Sequence, residues 1–140
     1  MDSIRRIFEE SISTKVKILN SSALDELKEI QNQITILIQK GGKIMLCGNG
    51  GSAADAQHLA AEMLIRLRPN YNRKGVPAIS LAQDSSTMTA CSNDFGYVEL
   101  YRRMVQTLGK SGDCLIALTT SGSSKNIINA MKEAKKMNIK

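Results

Sequence analysis

The sequence predicts an α/β protein: a parallel sheet covered by helices on both faces, preceded by a helical N-terminal extension. Three observations carry that reading. After Gly42 the chain alternates short apolar runs with helical segments. Those runs are apolar throughout, as strands buried on both faces require. Before Gly41 the apolar residues recur at helical spacing instead.

In order along the chain, Ile4, Ile7, Phe8, Ile12, Val16 and Leu19 form one helical stripe with charges between them. Ser22 then offers an N-cap, with Asp25 and Glu26 in the first turn of a second helix that carries Leu24, Leu27, Ile30, Ile34, Leu37 and Ile38 and stops at Gly41 and Gly42. Two amphipathic helices in succession need a partner for each stripe, and a subunit interface serves as well as the domain's own core. "KIMLCG" reads as a strand, Ser52 to Leu67 as a helix, "VPAISL" as a strand, Tyr97 to Leu108 as a helix, "DCLIALTT" as a strand and Ser124 to Met137 as a helix. The expected organisation is one domain over 1–140, with residues 1–40 as the N-terminal helices and 43–140 as the parallel part.

At 140 residues the chain has room for one domain with a real core. Hydrophobic residues at 42% and charged residues at 23% exclude a disordered chain or a disulfide scaffold. The formal charge of +6 is spread among acidic neighbours, and aromatics for base stacking make up 4%, so no nucleic-acid partner is expected. Cys47, Cys91 and Cys114 have no metal-ligand spacing and read as reduced thiols of a cytoplasmic protein. No apolar run approaches the ~18 residues needed to span a bilayer. "MDSIRRIFEE" lacks the apolar stretch of a signal peptide, so no membrane partner is expected.

In parallel α/β sheets the ligand lies outside the carboxyl ends of the strands. That rule selects "GNGGS", "AQDSSTMTACSND" and "TTSGSS", which should meet at one edge. "GNGGSA" fits the dinucleotide pattern G-x-G-x-x-A, but that fingerprint wants an acid about 20 residues further on. The first carboxylate after "VPAISL" is Asp84, thirty-six residues beyond Gly48, which disfavours a nicotinamide cofactor. In "TTSGSS", hydroxyls surround Gly122 just before a helix N-terminus, a setting that suits a phosphate dianion. Capping alone needs one such residue rather than Thr119, Thr120, Ser121, Ser123 and Ser124 together. No Lys follows the glycine, so this is not an NTP-binding loop.

On the helix from Ser52, Leu59, Ala60, Met63, Leu64 and Leu67 share one arc, expected to pack. Asp55, His58, Glu62 and Arg66 stack along another line. A histidine and a glutamate four apart leave metal ligation and proton transfer both open. A solvated face is the ordinary explanation for such a line; its position beside the crevice favours function.

"GNGGSAADAQHLAAE", "GVPAISLAQDSSTMTACSNDFGY" and "TTSGSSKNIINAMKEAKK" resemble the phosphoheptose isomerases of the sugar isomerase (SIS) family. The resemblance implies the SIS fold, a flavodoxin-like three-layer α/β/α sandwich, and a cytoplasmic homotetramer using the N-terminal helices for oligomerisation. It implies conversion of sedoheptulose 7-phosphate to D-glycero-D-manno-heptose 7-phosphate, an aldose–ketose isomerisation through an enediol that supplies heptose for lipopolysaccharide or capsule. It also implies that Asn49, Gly50, Gly51 and Ser52 line the sugar site, that Asn93 and Asp94 contact substrate hydroxyls, and that Thr119, Thr120, Ser121 and Ser124 hold the phosphate. His58 and Glu62 match positions that bind one zinc ion per subunit, and Glu62 also matches a substrate-binding catalytic acid/base. Thr119 and Ser123 stand where the family commonly has Ser and Asn. Family members run on past "AKKMNIK" with a final helix carrying a glutamine ligand and a second catalytic residue, a histidine. The resemblance therefore implies a truncated form whose residues 138–140 begin a fourth strand. The alternative is a non-catalytic SIS module, a sugar-phosphate sensor or adaptor.

Overall fold

The three apolar runs form parallel strands, β1 (Ile44–Gly48), β2 (Ala78–Ser80) and β3 (Cys114–Leu118), in the spatial order β2-β1-β3. The computed structural model describes residues 3–140. The register sets Ile44 beside both Ala78 and Cys114, and Gly48 beside Leu118. Every residue of β1 is buried, as the central position of the sheet demands.

Six helices accompany the strands: α1 (Ser3–Leu19), α2 (Ala23–Gln39), α3 (Gly51–Leu64), α4 (Ser85–Asp94), α5 (Leu100–Leu108) and α6 (Lys125–Lys136), with a 3-10 turn at Tyr97–Glu99 before α5. Two compact units are distinct, one reaching to Ile36 and one running from Leu37 to Lys140. In the first, α1 buries none of its described residues, and its stripe is open, with Phe8 66% exposed. Ser22 stands at the N-cap of α2, since its carbonyl accepts from the Asp25 and Glu26 amides, while its hydroxyl donates to Glu26 Oε1 at 2.9 Å.

In the second unit successive β1 residues point to opposite faces. Met45 and Cys47 join a core cluster with Leu100, Tyr101 and Val105 of α5 and Ile127, Ala130 and Ala134 of α6. Ile44 and Leu46, equally buried, point the other way. Helix α3 packs on β1 and β2 through Ala56 and Ala60, and the expected packing arc is corrected here, because Leu59, Leu64 and Leu67 are exposed. The reason is proximity: a Cβ on Gly48 would lie 2.5 Å from Ser52 O, so the start of α3 sits against the sheet at a distance only small residues allow.

Helix α3 also ends at Leu64, short of the expected Leu67. The Arg73 guanidinium donates to Met63 O at 2.9 Å and Glu62 O at 2.6 Å, and Val76 N donates to Met63 O, so the last carbonyls are satisfied by a returning loop rather than a further turn. Arg66 consequently leaves the helical line of Asp55, His58 and Glu62 and donates to Pro69 O. At the far end of the chain, Lys140 N donates to Asp113 O and Leu115 N donates to Lys140 O, the pattern of a parallel ladder along β3.

Candidate functional site

The strand order places a topological switch point between the carboxyl ends of β1 and β3, because the chain leaves β1 towards β2 on one side and returns to β3 on the other. The turn after β1 begins with Asn49 and passes through Gly50, whose φ of 55° is a left-handed value that favours glycine. The turn after β3 holds Thr119 to Ser124 and bends at Gly122, φ 65°. Asn49, Ser52, Thr119, Thr120 and Ser124, with Leu118, line one small cavity of about 40 Å³ between these turns. It has room for about one water-sized group and not for a whole sugar, so the rest of any sugar ligand lies outside it.

The hydroxyls of the second turn are arranged around its own backbone. Gly122 N donates to Thr119 Oγ1 and Ser123 N to Ser121 Oγ, each at 3.2 Å, and the Ser121 and Ser124 hydroxyls lie 3.4 Å apart. Ser124 is the N-cap residue of α6, yet its side chain makes no capping hydrogen bond. Simple capping therefore does not account for this residue, which lines the cavity beside the positive end of the helix.

A polar frame that no local sequence pattern signals ties the turn after β1 to the start of α6. Asn49 Nδ2 donates to Asn126 Oδ1 at 3.0 Å, and Asn126 Nδ2 returns a bond to Asn49 Oδ1 at 2.8 Å. The Tyr97 hydroxyl donates to Asn49 Oδ1 at 2.8 Å, and the buried Tyr101 hydroxyl to Gly48 O. Burial, reinforced by Tyr97, pushes the Tyr101 phenol up, so it stays a neutral donor. Gln57 Nε2 ties α3 to Ala82 O, just beyond β2, at 2.7 Å. Asn126 lies 77 positions from Asn49, and no local pattern connects them.

His58 Nε2 lies 3.8 Å from Glu62 Oε1, and Glu62 Oε2 is buried with no hydrogen-bond partner. The ten residues from Ser52 to Glu62 correspond to about 15 Å of helix, so this pair stands apart from the small cavity. Two donors fit part of a zinc shell, but zinc takes three or four protein ligands. Among the described residues no group of three His, Cys, Asp or Glu side chains gathers as a metal site.

The segment after β2 contains a helix, α4, for which the sequence shows no apolar stripe. Asp84 caps it, accepting from Ser86 N at 3.1 Å, Thr87 N at 3.2 Å and the Thr87 hydroxyl. The Thr87 hydroxyl, together with the two amides, holds the Asp84 carboxyl below the usual carboxylate range. The carboxylate that could have served a ribose is thus engaged as a cap. Asn93 and Asp94, at the other end of α4, are exposed and bond to each other at 2.9 Å, and neither lines the cavity. All three cysteines are free thiols, and burial pushes Cys47 up to about 12. No described helix is long and apolar enough to cross a membrane.

Residues 7–140 match the family model of the SIS domain. The chain is 42% identical over 139 residues to the phosphoheptose isomerase of Thermodesulfovibrio yellowstonii, covering 99% of this chain and 68% of that protein. It is 56% identical over 99 residues to that of Paramagnetospirillum magneticum, 71% of this chain and 50% of the relative. It is 47% identical over 116 residues to that of Chlorobaculum parvum, 83% of this chain and 56% of the relative. The chain thus spans about half the length of these last two relatives. Among solved structures, a phosphoheptose isomerase from Francisella tularensis superposes with a TM-score of 0.89 at 34% identity, over 99% of this chain and 71% of that one. The phosphoheptose isomerase GmhA from Neisseria gonorrhoeae gives 0.85 at 35%, over 97% and 69%. The family match covers nearly the whole chain and the fold superposes on both solved structures, and the chain belongs to the SIS domain family, among the phosphoheptose isomerases.

Proposed function

We propose that the protein of which this chain is all or part isomerises sedoheptulose 7-phosphate to D-glycero-D-manno-heptose 7-phosphate, in heptose supply for lipopolysaccharide or capsule. The observation that carries the reading is the switch-point crevice, where Asn49 and Ser52 from one turn face Thr119, Thr120 and Ser124 from the other. Thr119, Thr120, Ser121 and Ser124 hold the phosphate. Gly50 and Gly51 let the backbone approach the sugar, and Asn93 and Asp94 take its hydroxyls. The length of the heptose separates the phosphate from C1 and C2, so the acid/base group belongs some distance from the phosphate turn. Glu62, two to three turns along α3, meets that requirement.

In the reaction a proton leaves C1 of the ketose for the Glu62 carboxylate as the C2 carbonyl oxygen takes up a proton, giving the enediol. Reprotonation at C2 and loss of the O1 proton yield the aldose, with no atom gained or lost. A bound zinc ion would have His58 and Glu62 as two of its ligands and supply Lewis-acid polarisation of the oxygens. The described residues offer no third ligand, and no step here runs through the metal. The exposed stripes of α1 and α2 suit burial between subunits of a cytoplasmic homotetramer.

Glu62→Gln, made in an active form of the protein, is expected to abolish heptose 7-phosphate production while leaving sedoheptulose 7-phosphate binding intact. Near-normal turnover would remove Glu62 from the mechanism. A second reading is a non-catalytic sugar-phosphate-binding module, favoured by the cavity's own polar lining of amide and hydroxyl side chains, which suits a phosphate and carries no acid or base. Following the incubation of native protein with sedoheptulose 7-phosphate by NMR distinguishes the two: binding without product supports the module.

A further inference from the structure

We propose that Asn126 is a positioning residue of the crevice: its carboxamide, paired with that of Asn49, holds the glycine turn after β1 in a fixed orientation to the first turn of α6, so that the sugar-facing and phosphate-facing donors act as one site. This rests on the sugar-phosphate reading above. Asn126 is 4% exposed, a buried polar side chain at the start of α6. Ile127 N can only donate, and it donates to Asn126 Oδ1 at 3.0 Å, which fixes which end of the amide is oxygen. Asn126 Nδ2 must then face Asn49 Oδ1, and Asn49 Nδ2 must face Asn126 Oδ1, as the bonds of 2.8 and 3.0 Å show. With the Tyr97 hydroxyl also on Asn49 Oδ1, the Asn49 side chain keeps one amide hydrogen uncommitted. Its carboxamide serves chiefly as a brace, and ligand contact at this turn falls to the backbone of residues 49–51 and to Ser52. The pair is neutral, so it joins the turns without placing a carboxylate beside a dianion.

The test uses Asn126→Ala and Asn49→Ala, singly and combined. Asn126→Asp is added because it keeps the volume and the accepting oxygens and loses the bond donated to Asn49 Oδ1. One readout needs no ligand: NMR exchange of the Asn49 side-chain amide proton donated to Asn126 Oδ1, expected to be protected in the native chain, exposed in Asn126→Ala and still protected in Asn126→Asp, whose carboxylate keeps the acceptor. The other is affinity for sedoheptulose 7-phosphate against inorganic phosphate. Loss of the two reciprocal bonds of the pair predicts about tenfold weaker sugar-phosphate binding in each alanine variant. The double variant should be no weaker than either, and inorganic phosphate affinity should change by less than about threefold because the hydroxyl turn is untouched. Unchanged Asn49 exchange in Asn126→Ala, or alanine effects that add, would overturn the proposal. If Asn49 exchange depends on Asn126 but native protein binds no sugar phosphate, the brace stands and the isomerase reading falls.

Discussion

At each end of the sheet polar side chains tie the chain beside β1 to a later segment, to the residue before β3 at one end and to α6 at the other, and the bridges differ in kind. At the amino ends, the fully buried Asp113 accepts from Lys43 N at 3.0 Å, from Lys110 N at 2.9 Å and from the Lys43 ammonium. Burial alone would raise this carboxyl, but the Lys43 side chain and the two amides outweigh it and hold the group below the usual range. At the carboxyl ends, the bridge is the neutral Asn49–Asn126 pair, flanked by Thr119, Thr120 and Ser124, which line a cavity. One end uses its polar capacity internally, whereas the other keeps donors for a ligand. The contrast separates residues that hold the fold from residues that hold a substrate.

The comparison breaks most visibly at Asp113. Asp113→Ala strands two backbone amides and a lysine, and should lower stability by about 3 kcal/mol in urea unfolding at neutral pH. The folded carboxyl titrates below the unfolded value of about 3.9. Its stabilisation is therefore complete above that pH and is lost as pH falls through the folded pKa. The gap between wild type and variant should accordingly narrow below about pH 4. A constant gap down to strongly acidic pH would show that the carboxylate's charge is not what stabilises this end. At the other end, Ser124→Ala should change stability by less than about 0.5 kcal/mol, because the hydroxyl makes no capping bond. The same change should weaken phosphate-monoester binding by about three- to tenfold. A large loss of stability with unchanged binding would return Ser124 to the role of a helix cap.

Legibility follows the same division. The strands are readable to within about two residues because they fall in short apolar runs, fully buried in β1 and half-buried along most of β3. Helix α4 is not, since "SSTMTACSND" offers no apolar stripe, and its one local signal is Asp84 at the cap. The face of α3 was misassigned for a physical reason: the close approach at Gly48 selects Ala56 and Ala60 and leaves the leucines outside. Its end was misplaced because the group that stops it, Arg73, lies beyond the helix in the returning loop. Within the candidate site the turns were legible as glycine and hydroxyl clusters after strands. The frame joining them was not, because Asn126 and Tyr97 read as ordinary helix residues until the fold sets them against Asn49.

The measurement that tests the account most directly is a titration of this chain with sedoheptulose 7-phosphate followed by amide NMR. Saturable shifts are expected at residues 49–52 and 119–124, on both sides of the switch point. Absence of shifts, or shifts confined to another region such as the loop of Arg68 to Tyr71, would contradict it.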